Sequence, residues 1–443
     1  MADRPLVLLL AGVALAAALT WILPAGAFDR RDDPATARKV VVAGTYHSVP
    51  SAPVGPLAAA IAVPRGFVAG ADVIAVVLFV GGAWVVVDRL GTLPALVAML
   101  VARFRRRGLW AIPVVCVFFA TLGALENMQE EIIPLVPALM VLGAGLGVDA
   151  IVVVAMSAGA AMVGSAFGPT NPFQAGIALK LAQLPPFAHA GLRLGMFIAA
   201  LAIWIAWTLR HASRHRVLSG TEVRAWDGGR DKLPLKHVAI LAIALTPMAA
   251  YVYGAIRLDW GFNELSGAFL IAGASAGMIG GLGVGGTAIA YVEGAQSLLP
   301  AALMIGVARS ISLVLEDGRI VDTILQGLVA PLAHAPAAIG ALLQIPVQAL
   351  VHLAVPSVSG QAVLTMPLMA PLSDLLSVSR EAAVLAYQTG AGVTELVWPT
   401  NGALMAILLA ARVPFRRWIH FVLGAVLLMT LVGITAIIVV IAR

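Results

Sequence analysis

Long apolar runs alternate with short polar breaks along this chain. A bilayer core takes about 20 apolar residues per crossing helix. Runs of that length near 5–27, 68–88, 194–209, 238–256, 263–284, 287–313 and 418–441 predict crossing helices. The first has features of a secretory leader, with Arg4 ahead of it and Ala25-Gly26-Ala27 like a cleavage site. It is longer than a leader's apolar stretch, so the pattern predicts a retained first helix.

Two further regions are apolar but interrupted. In 109–147 two arms flank a polar tip, Glu126-Asn127-Met128-Gln129-Glu130-Glu131. In 337–376 two arms flank Pro356-Ser357-Val358-Ser359-Gly360-Gln361. Neither arm crosses comfortably with a polar tip between, and a re-entrant hairpin satisfies both lengths. Each hairpin precedes a helix broken in its middle. One runs 149–167 and 173–183 around Gly168-Pro169-Thr170-Asn171-Pro172; the other runs 379–397 and 403–412 around Trp398-Pro399-Thr400-Asn401-Gly402.

These two units are copies. Shifting 126–181 by 230 positions onto 356–411 superposes Pro137 on Pro367 and Pro169-Thr170-Asn171 on Pro399-Thr400-Asn401. A three-residue polar or breaking run inside apolar surroundings marks a repeat better than matched aliphatics do.

Composition narrows the class. Of 443 residues, 61% are hydrophobic and 11% are charged, against about a quarter charged in a soluble domain. A soluble enzyme, a disordered chain and a nucleic-acid reader are excluded despite the net charge of +6. The basic blocks are Arg103 to Arg107 and the loop 210–236, and both are expected on the cytoplasmic side. Residues 93–103 read as an interfacial helix there. An odd number of crossings between the copies turns the second over. Its counterpart of the arginine cluster, Ala333-His334-Ala335-Pro336, carries no Lys or Arg, as a flipped copy requires. The N-terminus is then cytoplasmic, 28–66 outside and the C-terminus outside. Inverted repeats with interrupted segments are the signature of secondary transporters.

The chemistry agrees. Proline breaks free backbone carbonyls, which a cation satisfies. Helix N-termini near Ile132, Phe173, Ala362 and Ala403 attract anionic groups. Thr170, Asn171, Thr400 and Asn401 suit capping at the kinks and ligand binding together. Glu130 and Glu131 would repel a carboxylate, so at least one binds the coupling cation, carries a proton or pairs with a substrate ammonium. Arg309 and Glu293 fall on one predicted helix, sixteen residues apart. Glycines 273, 277, 281 and 285 read as a close-packing ladder.

Other motifs lead nowhere. Gly281 to Gly286 matches G-x-G-x-x-G without a strand before it. His352 near Ser357 and Ser359 suggests an intramembrane protease only weakly, and no span has the sustained polar stripe of a channel. Cys116 is the only cysteine, and no cluster has metal-enzyme spacing.

Glu130-Glu131, Asn171-Pro172-Phe173 and the block 356–402 resemble the C4-dicarboxylate anaerobic carrier family, in its YfcC-like branch; "LTWILPAGAF" (19–28) and "DGRIVDTIL" (317–325) fit as well. The resemblance implies the ion transporter superfamily fold: an all-α polytopic membrane protein with two re-entrant hairpins and two broken helices. It also implies a dimerising scaffold with a transport domain moving as an elevator, in a bacterial cytoplasmic membrane. The expected parts are scaffold 1–108, transport repeat 109–185, scaffold helices 186–336, transport repeat 337–413 and a last scaffold helix 414–443.

The implied activity is secondary transport, not enzyme catalysis, of a small carboxylate-bearing metabolite: a dicarboxylate or, as rival, a basic amino acid by antiport. Substrate binding is expected at Asn127, Thr170 and Asn171 in the first copy. In the second it is expected at Ser357, Ser359, Gly360, Gln388, Thr400 and Asn401. Ion coupling falls to Glu130, Glu131 and Glu395, with Na⁺ or H⁺ as the ion and no cofactor. One departure is Gly390-Ala391-Gly392, where the family often has Gly-Asp-Gly; the acidic group appears nearby as Glu395.

Overall fold

The computed structural model describes residues 5–33, 38–96, 99, 108–169, 171–185, 188–215, 233–258 and 260–442. The arginine cluster 103–107, much of the interfacial helix expected at 93–103 and most of the loop 210–236 lie outside them. The described chain is mostly helical, and it is a multi-span membrane protein. Among the described residues six helices are long and apolar enough to cross a bilayer: Ala71–Arg89, Ala150–Phe167, Ala190–Arg214, Leu299–Asp317, Ala337–Ala354 and Phe415–Ile441.

In chain order, α1 (Pro5–Ile22) leads into four short strands, β1 (Gly26–Ala27), β2 (Arg30–Asp33), β3 (Arg38–Val41) and β4 (His47–Ser48). They pair antiparallel, β1 with β4 and β2 with β3. Then come α2 (Pro56–Ala69) and α3 (Ala71–Arg89). The first interrupted unit is α4 (Ala111–Glu126), α5 (Val136–Leu146), α6 (Ala150–Phe167) and α7 (Ile177–Leu181). The middle of the chain holds α8 (Ala190–Arg214), α9 (Leu235–Arg257), α10 (Phe262–Gly280), α11 (Gly283–Ser297), α12 (Leu299–Asp317) and α13 (Val321–Val329). The second unit is α14 (Ala337–Ala354), α15 (Val358–Leu375), α16 (Arg380–Thr394) and α17 (Gly402–Ala410), followed by α18 (Phe415–Ile441).

Two expectations about the elements change. The span expected at 287–313 is two helices, α11 and α12, meeting at Leu298. Pro300 sits in the first turn of α12, where its missing N–H costs nothing and its fixed φ favours a helix start. Glu293 and Arg309 therefore lie on different helices, and Glu293 pairs with Arg89. The loop expected over 28–66 contains most of α2. Pro56 starts that helix, and its Arg65 reaches Asp317 at 2.5 Å, so a segment broken by Pro64 and a charge still packs as helix.

Helix α6 begins at Asp149, whose side chain accepts from Val152 N at 3.0 Å. Its middle opens into a π turn at Ala155–Gly159. The Ala155 carbonyl finds the Trp204 indole N–H at 2.8 Å. Shifting the start of α6 by 230 positions lands on the start of α16, and the turn at Pro172 lands on Gly402.

Close packing holds the interrupted units together. A Cβ at Gly123 would meet the Ala161 carbonyl, and one at Gly164 the Ala120 carbonyl, so α4 lies directly on α6. In the second unit α14 lies on α16, where a Cβ at Gly390 would meet the Ile345 carbonyl. The glycine ladder behaves only in part as expected. Gly273 and Gly277 pack against Tyr291 and Thr287, whereas Gly281 ends α10 at φ 93° and Gly285 has open space. Helices α8 and α18 pack on each other and on the broken helices α6 and α16. Helices α2, α3, α10, α11 and α12 form a second group, which meets the first where α3 touches the 130–135 turn and α12 touches α17.

Candidate functional site

Between the two groups lies a cavity of about 480 Å³. Both hairpin tips reach it, as do the second helix break, the start of α3 and the middle of α12. The first tip turns because Asn127 takes a left-handed conformation (φ 59°) and caps α4. The chain then tightens into a 3₁₀ turn over Glu130–Leu135, with the Gln129 N–H donating to Glu131 Oε2 at 3.1 Å. The second tip turns at Ser357, whose hydroxyl accepts the Gly360 N–H at 3.3 Å and starts α15. At the second break Asn401 Oδ1 accepts the Leu404 N–H at 3.1 Å and starts α17.

The expected residues divide. Asn127, Glu130, Glu131, Ser357, Ser359, Glu395, Thr400 and Asn401 line the cavity. Thr400 Oγ1 is buried there without a hydrogen-bond partner. Asn171 is wholly buried; it caps its break through Phe173 N and Gln174 N, both at 2.9 Å, and its amide reaches Gly123 O at 3.2 Å. Gln388 lies two turns before Glu395 and points its amide nitrogen at Ala166 O and Gly168 O, between α16 and α6. Gly360 lines a second cavity of about 550 Å³. That space is bounded by β1–β3, the end of α12 and the second tip, and it shares Ser357 and Arg309 with the first. Thr170 lies outside the described residues.

Three lining residues were not singled out for the site by the sequence. Gln129 donates to Glu395 and accepts from Asn401. Asp72, in the first turn of α3, was a lone charge in an apolar run, which is itself a signal at membrane depth. Arg309 faces the cavity without a hydrogen bond or an ion pair within 4 Å among the described residues, and its electrostatic neighbour is Glu316, two turns on along α12. His352, behind Glu395, hydrogen-bonds Gln361, and the Ser357 hydroxyl is spent on its own cap. No serine–histidine hydrogen bond forms among the described residues. Among the described residues no group of three His, Cys, Asp or Glu side chains is placed to hold a metal ion.

Among the described residues the ionisable lining is thus four carboxyl groups, Asp72, Glu130, Glu131 and Glu395, one guanidinium, Arg309, and the Tyr251 phenol of α9. Such a lining can hold one carboxylate at the arginine and several N–H-bearing cations at the acids.

A family model described as C4-dicarboxylate anaerobic carrier matches residues 3–442. YfcC of Escherichia coli (strain K12), whose name provisionally makes it a basic amino acid antiporter, is 30% identical over 80% of this chain and 74% of its own. A protein of Haemophilus influenzae (strain Rd) is 27% identical over 96% of this chain and 94% of its own. Among solved structures, the YdaH transporter of Alcanivorax borkumensis is 18% identical with a TM-score of 0.43, covering 98% of each chain. MtrF of Neisseria gonorrhoeae is 15% identical with a TM-score of 0.43, covering 100% of this chain and 96% of that one.

Proposed function

Because the chain belongs to the C4-dicarboxylate anaerobic carrier family and is a membrane transporter, we propose that it exchanges cationic amino acids. The observation that carries this reading is the cavity lining of four carboxyl groups around one arginine that makes no hydrogen bond among the described residues. Arg309 takes the α-carboxylate. Glu130, Glu131, Glu395 and Asp72 take the α-ammonium and the side-chain cation, with Thr400 Oγ1 free to accept a further N–H. A dicarboxylate meets the opposite balance. At an effective dielectric of 20, each carboxyl group that stays ionised about 5 Å from a substrate carboxylate costs roughly 3 kcal/mol. The name of the YfcC relative points the same way.

The architecture belongs to the same proposal. We read two inverted repeats, 109–185 and 337–413, each a re-entrant hairpin and a broken helix. They form a body that moves as an elevator against a dimerising scaffold of α2, α3 and α10–α12. The packing of α8 and α18 on α6 and α16 favours assigning these two helices to that body, not to the scaffold in which 186–336 and 414–443 were expected. The membrane is the bacterial cytoplasmic one, with the N-terminus and loop 210–236 inside and the C-terminus outside.

Counterflow in proteoliposomes tests the substrate. Vesicles loaded with unlabelled arginine or lysine are expected to accumulate labelled arginine transiently and saturably, with succinate failing to compete. Equal counterflow of succinate or fumarate, with none of arginine, lysine or ornithine, overturns the reading.

A further inference from the structure

Behind the cavity wall, the His352 ring of α14 is wholly buried. Its Nδ1 lies 2.7 Å from Gln361 Oε1. The Gln361 amide is held in that sense, because its Nε2 donates to Gln348 O and Oε1, both at 2.7 Å. Nδ1 therefore carries a hydrogen and donates it. Nε2 has no hydrogen-bond partner and faces Glu395 Oε1 at 3.6 Å.

The other Glu395 oxygen is fixed as firmly. Asn401 Oδ1 is occupied by the Leu404 N–H, so its Nδ2 donates to Glu395 O at 3.2 Å and towards Gln129 Oε1 at 3.3 Å. Gln129 Nε2 is left to donate to Glu395 Oε2. These amides all have one sense, and the hydrogen-bond chain has one gap, between His352 Nε2 and Glu395 Oε1. With a neutral ring and an ionised carboxylate, a lone pair would face an oxygen in a buried setting, an uncompensated contact. One proton, on either atom, closes the gap.

We propose that His352 and Glu395 form a one-proton site that couples amino-acid exchange to H⁺, an inference resting on the cationic-substrate reading above. Glu395 lines the cavity, so a substrate ammonium can donate to its Oε1. The proton held between Oε1 and Nε2 then leaves through the cavity to water, one positive charge entering as one departs. Release of substrate on the other side of the membrane reloads the proton. The pair is faced by Glu130 and Glu131 from the first tip, Asp72 from α3, Tyr251 from α9 and Arg309 from α12 across the cavity. From α16 it is faced by Tyr387, whose hydroxyl donates to Val358 O at 2.5 Å. From α15 it meets Gln361.

Two measurements decide it. In detergent with a pH-indicator dye, arginine binding to the wild-type protein is expected to release about one proton per substrate. In proteoliposomes an imposed pH gradient is expected to drive arginine uptake. The positioning variant His352→Gln should keep arginine-for-arginine exchange while losing proton release and gradient-driven uptake. Exchange without proton release in the wild type, or gradient-driven uptake surviving in His352→Gln, overturns the coupling. Should His352→Gln not fold, Gln361→Leu frees the ring from its fixed donor role and is expected to give the same loss. If the wild type binds no cationic amino acid, the substrate reading fails, and pH-difference infrared spectra then judge the site without substrate. A carboxyl band absent in Glu395→Gln and displaced along the pH axis in His352→Gln supports the shared proton. A band that does not move in His352→Gln overturns it.

Discussion

Arg309 and Arg193 show how differently a membrane protein uses one residue type. Arg309 stands at the cavity without a hydrogen bond among the described residues, where a charge-assisted hydrogen bond contributes about 1.5–3 kcal/mol. Arg309→Ala should therefore raise the half-saturating arginine concentration roughly tenfold or more. Arg309→Lys should recover only part, because an ammonium lacks the guanidinium's planar fork. Equal affinity in all three forms, measured by counterflow, would remove Arg309 from the substrate. Arg193 of α8 is instead buried against Glu381 of α16 at 2.7 Å, with both side chains almost without exposure. Arg193→Met leaves the Glu381 charge unpaired, a loss of about 3–5 kcal/mol. The thermal midpoint in detergent should fall accordingly, and pairing the change with Glu381→Gln should restore most of it.

At the scale of elements, backbone approach decides which helices can share a face. Helix α4 rests on α6 because Gly123 and Gly164 each put a neighbouring carbonyl where a side chain would be. Overpacking costs about 1–3 kcal/mol when side chains can yield, and these contacts are with backbone. Gly123→Val and Gly164→Val should each abolish a monodisperse size-exclusion peak. Gly285→Ala, in open space, should leave both the peak and the melting midpoint unchanged. If the valine variants run as the parent does, α4 and α6 are held apart by something other than these glycines.

In the proposed orientation the strand segment 26–48 lies outside and the end of α8 lies in the cytoplasm. Ser48 and Ser213 are exposed, and the native Cys116 is buried. Single cysteines at Ser48 and Ser213 should therefore react with an impermeant maleimide from opposite sides of sealed vesicles. Reaction from the same side would overturn the crossing count behind the inverted repeat.

Much of this protein was legible in one dimension. Apolar run length marked the long helices at 71–89, 190–214 and 415–441, and prolines marked the breaks, because backbone hydrogen bonding in lipid leaves few alternatives; Ala150–Phe167 and Ala337–Ala354, read as parts of interrupted units, are also long and apolar enough to cross. The polar tips were visible for the same reason, and Glu130, Glu131, Glu395, Thr400 and Asn401 do meet at one cavity. Less visible was the division of 287–313 at Pro300, since apolarity continues across a break that only the missing N–H creates. The partner of each polar group was not visible at all. Asn171 and Asn401 stand in the same repeat position, yet one is sealed among Gly123, Asn127 and Ser165 while the other lines the cavity. Local sequence sets a side chain's capacity to cap or bind. Which of these it does depends on what the rest of the chain packs against it, and only the tertiary structure brought Asp72, Arg309 and His352 to the glutamates.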